Sequence, residues 1–171
     1  MTDPIRPTDD EARALACDLI AAARIAALGT LDDDGAPVVT RIAFGRDAQG
    51  AAMTLVSDLS QHSRAMARDP RVSLLLGEVA GKGDPLTHPR LTLLAQAVPV
   101  PRGGAEHAAC ADAWLTTHPK AKLYISFADF GFVRFDVSAG LLNGGFGRAY
   151  RLSPADMGLQ SIRTDSRTSP R

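Results

Sequence analysis

Three short apolar runs between Gly29 and Asp58, in GTLDDDGAPVVTRIAFGRDAQGAAMTLVSD, constrain this chain more than any other feature. They are separated by an Asp-Gly-type turn, DDDG, and a Gln-Gly-type turn, DAQG. Aspartate folds back onto its own backbone and glycine takes the positive φ of a tight reversal, so runs bounded this way read as strands. The segment predicts a strand meander with antiparallel β as the core. In VVTRIAF, Val38, Thr40, Ile42 and Phe44 share one face of a strand, and Val39, Arg41 and Ala43 share the other. If the first face fills the core, Arg41 projects outward.

The flanking sequence supplies helices and further strands. EARALACDLIAAARIAAL carries Leu15, Leu19, Ile20 and Ala23 at helical spacing, which predicts a first helix over about residues 9–27. A short helix follows at about 60–69, then RVSLLLGE as a strand, a Gly- and Pro-rich loop VAGKGDPLTHP, and RLTLLAQAVPV as a longer strand. GGAEHAACADAWLTTHPKAK predicts a helix ending near His118-Pro119, and LYISFADFGFVRFDVSAGLL predicts two more strands. In the second of these, Phe132, Arg134 and Asp136 oppose Val133, Phe135 and Val137. The expected fold is mainly β, of the α+β class: a six- to seven-stranded antiparallel barrel with peripheral helices. An outer face that keeps Val39, Ala43 and Phe132 has apolar surface to cover, and a second copy of the chain is the expected cover, making a homodimer.

Length and charge narrow the function. At 171 residues the chain suits one domain over 1–171, with loose ends at 1–8 and about 160–171, the latter loose or wrapped over a neighbour. Lys plus Arg equals Asp plus Glu at 19 each, so there is no global basic field to gather nucleic acid or anionic lipid, and any anion site is local. Cys17 and Cys110 have neither CxxC nor zinc spacing, which points to a reduced, cytoplasmic setting. The N-terminal stretch is acidic where a leader would be basic, and the apolar run Leu19–Leu28 is short and broken by Arg24; a soluble protein without membrane association is expected.

The chemistry-bearing stretch is SDLSQHSRAMARDPRVSLLL, from Ser57 to Leu76. A helix starting near Ser60 presents unpaired N–H groups and the positive end of its dipole, which favour acidic side chains in the first turn. This helix opens instead with Gln61, His62, Ser63 and Arg64. With Ser57 and Ser60 the turn holds three hydroxyls within seven residues, a pattern suited to a phosphate, and Arg41 joins it if its strand neighbours the one ending at Ser57. The plainer reading is an ordinary Ser60 N-cap, Arg64 paired with Asp58, and a solvated His62. No GxGxxG following a strand and no GxxxxGK[ST] is present, so those nucleotide folds are excluded.

The order APVVTRIAF, LVSDLSQHSRAMARDPRVSLLL, GDPLTHPRLTLLAQA and FADFGFVRFDVSAGLLNGGFGRAYRL resembles the pyridoxamine 5'-phosphate oxidase-like flavoproteins with the FMN-binding split barrel, in the branch containing haem-utilisation proteins. The likeness covers about Ala26 to Leu152 and implies a dimeric split β-barrel with FMN between subunits. It places Thr40, Arg41, Ser57, Ser60, His62, Ser63 and, more weakly, Arg64 at the phosphate, with His62 where the oxidase has a lysine. Arg90 matches a position that reaches the flavin ring and is a glutamine in the oxidase. An FMN-dependent oxidoreductase acting on a small-molecule substrate is therefore the first expectation, with no residue standing out as a catalytic acid or base. Haem binding or breakdown in the same cleft is the alternative, although the axial histidine that haem-degrading relatives carry in the C-terminal tail is absent from Leu159–Arg171. A flavin-holding module without turnover, or one for a deazaflavin, completes the set.

Several other residues carry less. His88, His107 and His118 have no metal-ligand spacing and are read as solvated or capping, so no metal site is expected. Lys82 is placed on a mobile loop, and Asp129 and Asp136 are too far apart for an acid/base pair. The glycines of Gly144-Gly145-Phe146-Gly147 predict a tight turn, against the alternative that Phe146, Trp114 and Tyr150 wall a flat ring.

Overall fold

The computed structural model describes residues 5–162. In chain order the elements are β1 (Ile5–Arg6), α1 (Asp10–Ala22), β2 (Ile25–Leu31), β3 (Pro37–Ala43), β4 (Gly45–Arg46), β5 (Ala52–Ser57), α2 (Gln61–Arg68), β6 (Arg71–Leu76), β7 (Arg90–Pro99), α3 (Ala105–Thr117), β8 (Phe130–Asn143) and β9 (Ala149–Leu152), with short 3-10 turns at Pro85–Thr87, Pro119–Leu123 and Ala155–Met157.

The two aspartate turns close in the same way. Asp32 Oδ1 accepts from the Asp34 and Ala36 amides at 3.0 and 2.8 Å, and Asp47 Oδ1 accepts from the Gln49 and Ala51 amides at 3.0 and 2.9 Å. The first turn makes the β2–β3 hairpin, in register from Ile25↔Ala43 to Leu31↔Pro37. The second joins β4 to β5, and there the expected meander breaks. β5 pairs with β8, from Ala52↔Phe135 to Ser57↔Phe130, and not with β3. The cause is in its side chains: Ala52 and Val56 enter one buried cluster and Met53 and Leu55 another, so β5 needs cover on both faces. Across the resulting seam the Thr54 hydroxyl donates to the Ala43 carbonyl at 2.7 Å.

The sheet runs β1-β9-β8-β7-β6-β2-β3, with β5 and β4 branching from β8, and only the β1–β9 pair is parallel. It is a split barrel, open between β3 and β5. The last two expected strands are one strand: β8 runs for 14 residues, its first half on β5 and its second on β9, with an irregularity opposite Leu94/Ala95. The LYISFAD stretch before it turns instead, because the backbone bonds Tyr124 to Ala121 and Phe127 to Tyr124 hold it in tight reversals.

The first helix is shorter than its apolar pattern. It ends at Ala22, Arg24 Nη1 donates to the Ala21 and Ala23 carbonyls at 2.9 Å each, and Ile25 opens β2. Ile5 and Arg6, read as part of a loose end, lie beside Ala149 and Tyr150. Gln160–Ile162 continue as ordered chain, with the Ile162 amide donating to Asp136 Oδ1 at 3.3 Å; residues 1–4 and 163–171 lie outside the described residues. Among the described residues, no helix is long and apolar enough to cross a membrane, and Cys17 and Cys110 are free thiols.

Two cores result. The barrel core gathers Leu28, Ile42, Phe44, Leu74, Leu93 and Phe135, with Ala16 and Ile20 of α1 entering it. The second core lies on the outside of β5 and β8, where α3 brings Cys110 and Trp114 onto Met53, Leu55 and Phe132. Phe132 is 1% exposed. The expectation that Phe132 waits for a second copy is thereby corrected: α3 of the same chain covers it. The GGFG segment is the tight turn between β8 and β9, with Gly145 and Gly147 at φ 110° and 67°. Phe146 stands free at its tip, 98% exposed, while Trp114 and Tyr150 are buried in different cores, so the three form no wall.

Candidate functional site

Ser60 caps α2 as its residue type requires, its hydroxyl accepting from the Ser63 amide at 3.3 Å. The hydroxyls of the turn are mutually satisfied. Ser60 Oγ donates to the Ser57 carbonyl at 2.8 Å and lies 2.7 Å from Ser63 Oγ. Ser57 Oγ donates to Asp129 Oδ2 at 2.6 Å and accepts from the Leu59 amide at 3.1 Å. Arg64 donates to the Leu59 carbonyl at 2.7 Å, and Asp58 pairs with Arg102, so the expected Arg64–Asp58 pair is replaced by two others.

β3 does reach this turn. Thr40 Oγ1 sits 3.2 Å from His62 Nδ1, which joins two of the stretches the resemblance singled out. Half-burial pushes the His62 imidazole below its ordinary value, by desolvation. It is therefore held neutral over more of the acid range than a solvated histidine.

Arg41 goes elsewhere. It points from the opposite face of β3 to Thr40's side chain, and β3 does not neighbour the end of β5, so Arg41 does not join the serines. It lines a hollow of about 350 Å3 with Ile25, Ala27, Val39, Thr40, Leu75 and others, whereas Arg64 and Ser63 line two separate hollows. Arg41, Ala27, Leu75 and Thr92 form one row across β3, β2, β6 and β7. The guanidinium has no hydrogen-bond or ion-pair partner among the described residues, and Val39 beside it is 71% exposed. Arg90 lies at the far edge of this face. Its guanidinium is turned to the Leu86 and His88 carbonyls at 2.9 and 3.4 Å, while its backbone packs on Gly77, which lines the Arg41 hollow.

The eight candidates thus divide into an internally bonded turn (Ser57, Ser60, Ser63, Arg64), a Thr40–His62 bridge, and an open cationic, apolar face bearing Arg41 with Arg90 at its margin. Sequence reasoning missed Ile25 and Leu75 on that face. Ile25 sits in an alanine-rich run that reads as helix, and Leu75 is the one outward residue in LLL; only the register of β2 against its neighbours sets them beside Arg41. His88, His107 and His118 are dispersed, and no cluster of metal-ligating side chains occurs among the described residues.

The fold is a split barrel of the kind found in pyridoxamine 5'-phosphate oxidase-like proteins. A protein of that oxidase family from Clostridium acetobutylicum, related to general stress protein 26, superposes with a TM-score of 0.66 at 12% identity, covering 88% of this chain and 99% of the other, which establishes the fold. The model of the CREG β-barrel family matches residues 7–157, and the chain belongs to that family. The non-canonical haem oxygenase HOZ of Arabidopsis thaliana chloroplasts is 34% identical over 103 residues, 60% of this chain and 30% of that protein. A haem-binding protein from Mycobacterium smegmatis has a TM-score of 0.78 at 30% identity, over 90% of this chain and 61% of its own. The chain spans less than two thirds of either relative.

Proposed function

We propose that this protein binds haem on the outer face of β2, β3 and β6, with a second copy of the chain closing over it. The observation that carries the reading is Arg41: a guanidinium with no partner among the described residues, standing among Val39, Ile25 and Leu75 in an open hollow. A largely apolar floor with one free guanidinium, and Glu78 at its margin, suits a flat hydrophobic ring bearing carboxylates, because arginine binds carboxylate through paired, charge-assisted hydrogen bonds. The two relatives described as a haem oxygenase and a haem-binding protein support it. No histidine is among the residues lining the hollow, and His62, bonded to Thr40's side chain on the opposite face of β3, does not reach it, so the reading rests on the ring and its carboxylates. A second subunit would remove Val39 and Leu75 from water and give the site a low-dielectric wall.

A second reading, FMN with an oxidoreductase activity on a small molecule, rests on the Thr40–His62 bridge, which brings together two groups the resemblance assigns to the phosphate. It is weaker because the hydroxyls of Ser57, Ser60 and Ser63 already serve one another and Asp129. A flavin-holding module without turnover is the same site minus reduction by NADH or NADPH.

One experiment separates these. The full chain is titrated with haem and, separately, with FMN, and followed by absorbance and by sedimentation. The haem reading expects a saturable Soret band on a dimer, weakened about ten- to a hundredfold in Arg41→Ala, as for a lost charge-assisted contact. A flavin spectrum with no Soret band transfers the site to FMN. Arg41→Ala binding haem as tightly as the parent would end the placement on this face.

A further inference from the structure

A second cavity, of about 220 Å3, lies between α2, the end of β7 and the start of β8. It shares no lining residue with the Arg41 hollow, and the haem reading does not use it. Its walls are apolar, with Met66, Pro99, Phe132 and Val133 prominent, and its mouth carries Asp58 and Arg102. A cavity of about 150 Å3 lined by apolar groups admits benzene, so this one has room for a ring or short alkyl chain with an acid group attached.

The mouth is arranged around the Arg102 guanidinium. Nε donates to the Phe130 carbonyl at 3.0 Å and Nη2 to Asp58 Oδ2 at 2.8 Å, while Nη1 has no partner among the described residues. The group lies flat against β8 because residue 131 is glycine: a Cβ there would stand 3.0 Å from Nη2 and 3.2 Å from Nε. Asp58 is 62% exposed, so its hold on Arg102 is the weak kind made in water. An incoming carboxylate whose apolar body is buried in the cavity has the advantage over it.

We propose that this cavity binds a small monocarboxylate with an aromatic or short aliphatic body, the body packing on Met66 and Pro99 and the carboxylate taking Arg102 from Asp58.

The test titrates the full chain with phenylacetate and, in parallel, with the uncharged phenylacetamide, following backbone amide and methionine methyl resonances. Phenylacetate is expected to move Gly131, Arg102 and the Met66 methyl, and to bind about tenfold more tightly than the amide, the usual advantage of a charge-assisted contact. Asp58→Asn, on an exposed turn and harmless to folding, is expected to tighten phenylacetate binding by removing the competitor. Gly131→Ala is expected to weaken it by lifting the guanidinium. Equal affinity for acid and amide, no gain in Asp58→Asn, or shifts centred on Val39 and Arg41 would each overturn the proposal. Because the last outcome points to the cofactor face, failure here is distinct from failure of the haem reading.

Discussion

On the outer surface of this barrel two faces each hold an outward strand arginine, Arg134 and Arg41, and the fates of these two differ. On β8, Arg134 is 12% exposed at its side chain, lies 2.7 Å from Asp47 Oδ2 and also pairs with Glu106, under the roof that α3 makes. On β3, Arg41 has neither roof nor partner among the described residues. Strand alternation alone puts both outward. The difference is that α3 brings Trp114 and Cys110 to the first face, and Gly45 lets the indole lie on the backbone, since a Cβ there would meet Trp114 Cζ3 at 2.9 Å. The lesson is that an outward arginine marks a binding face only where the chain's own elements leave it uncovered.

The sharpest way to break the contrast is to empty the roof. Trp114 is 1% exposed and stacks on His118 with centroids 4.1 Å apart and planes 9° from parallel. Trp114→Ala is expected to cost about 3–5 kcal/mol in urea unfolding, the range for a large core aromatic. Leu75→Ala on the bare face, at 43% exposure, is expected to cost well under half of that in the isolated subunit. Comparable losses for the two would mean that the bare face is a load-sharing core.

The arginines give the next largest effect. Arg134→Met strips its partner from Asp47, which is 2% exposed at the side chain, and a buried pair broken from one side loses about 3 kcal/mol or more. Arg41→Met is expected to stay within about 0.5 kcal/mol in thermal unfolding, as an exposed position without partners should. The pair of variants thus separates a structural cation from one kept for a ligand, and a strongly destabilised Arg41→Met would erase the distinction.

How much of this was legible beforehand follows the range of the interactions. The two aspartate turns, the Ser60 cap, the direction of Arg41 and the family resemblance are local or ordered along the chain, and they stand. Partner choice is not local. That β5 would leave its meander for β8 depends on segments 70 or more residues apart, such as Ser57 and Asp129, which are separated by 72, and that α3 would roof Phe132 depends on how a helix packs across a sheet rather than on any local pattern. The hydroxyl pattern was legible only in part: a list of hydroxyls shows donors, but not that Ser60 and Ser63 bond each other. Thr40 and His62, 22 residues apart and both singled out by the resemblance, meet in the fold.

His62 supplies the smallest effect and the cleanest sign. Burial lowers its pKa in the folded chain, so the unfolded chain, near 6.5, takes up a proton first as pH falls. The stability tied to keeping His62 neutral is fully present above the unfolded value and is lost as pH drops through it toward the folded one. Other acid-side contributions lie lower. Asp69, held to about 2 by its hydrogen bonds from Arg71, and Asp156, held to about 2 by Ser153 and then Arg13, keep their charges until far more acid pH. Between pH 7.5 and 5.5, melting temperature should fall less in His62→Gln than in the parent chain. A phosphate bound beside His62, as in the FMN reading, favours the protonated ring and should reduce the parent's fall, whereas haem held at Arg41, on the opposite face of β3, should leave it unchanged. Arg41→Ala should leave the acid slope of the cofactor-free chain untouched, since Arg41 faces away from the imidazole; a slope that followed Arg41 would place both groups in one hollow after all.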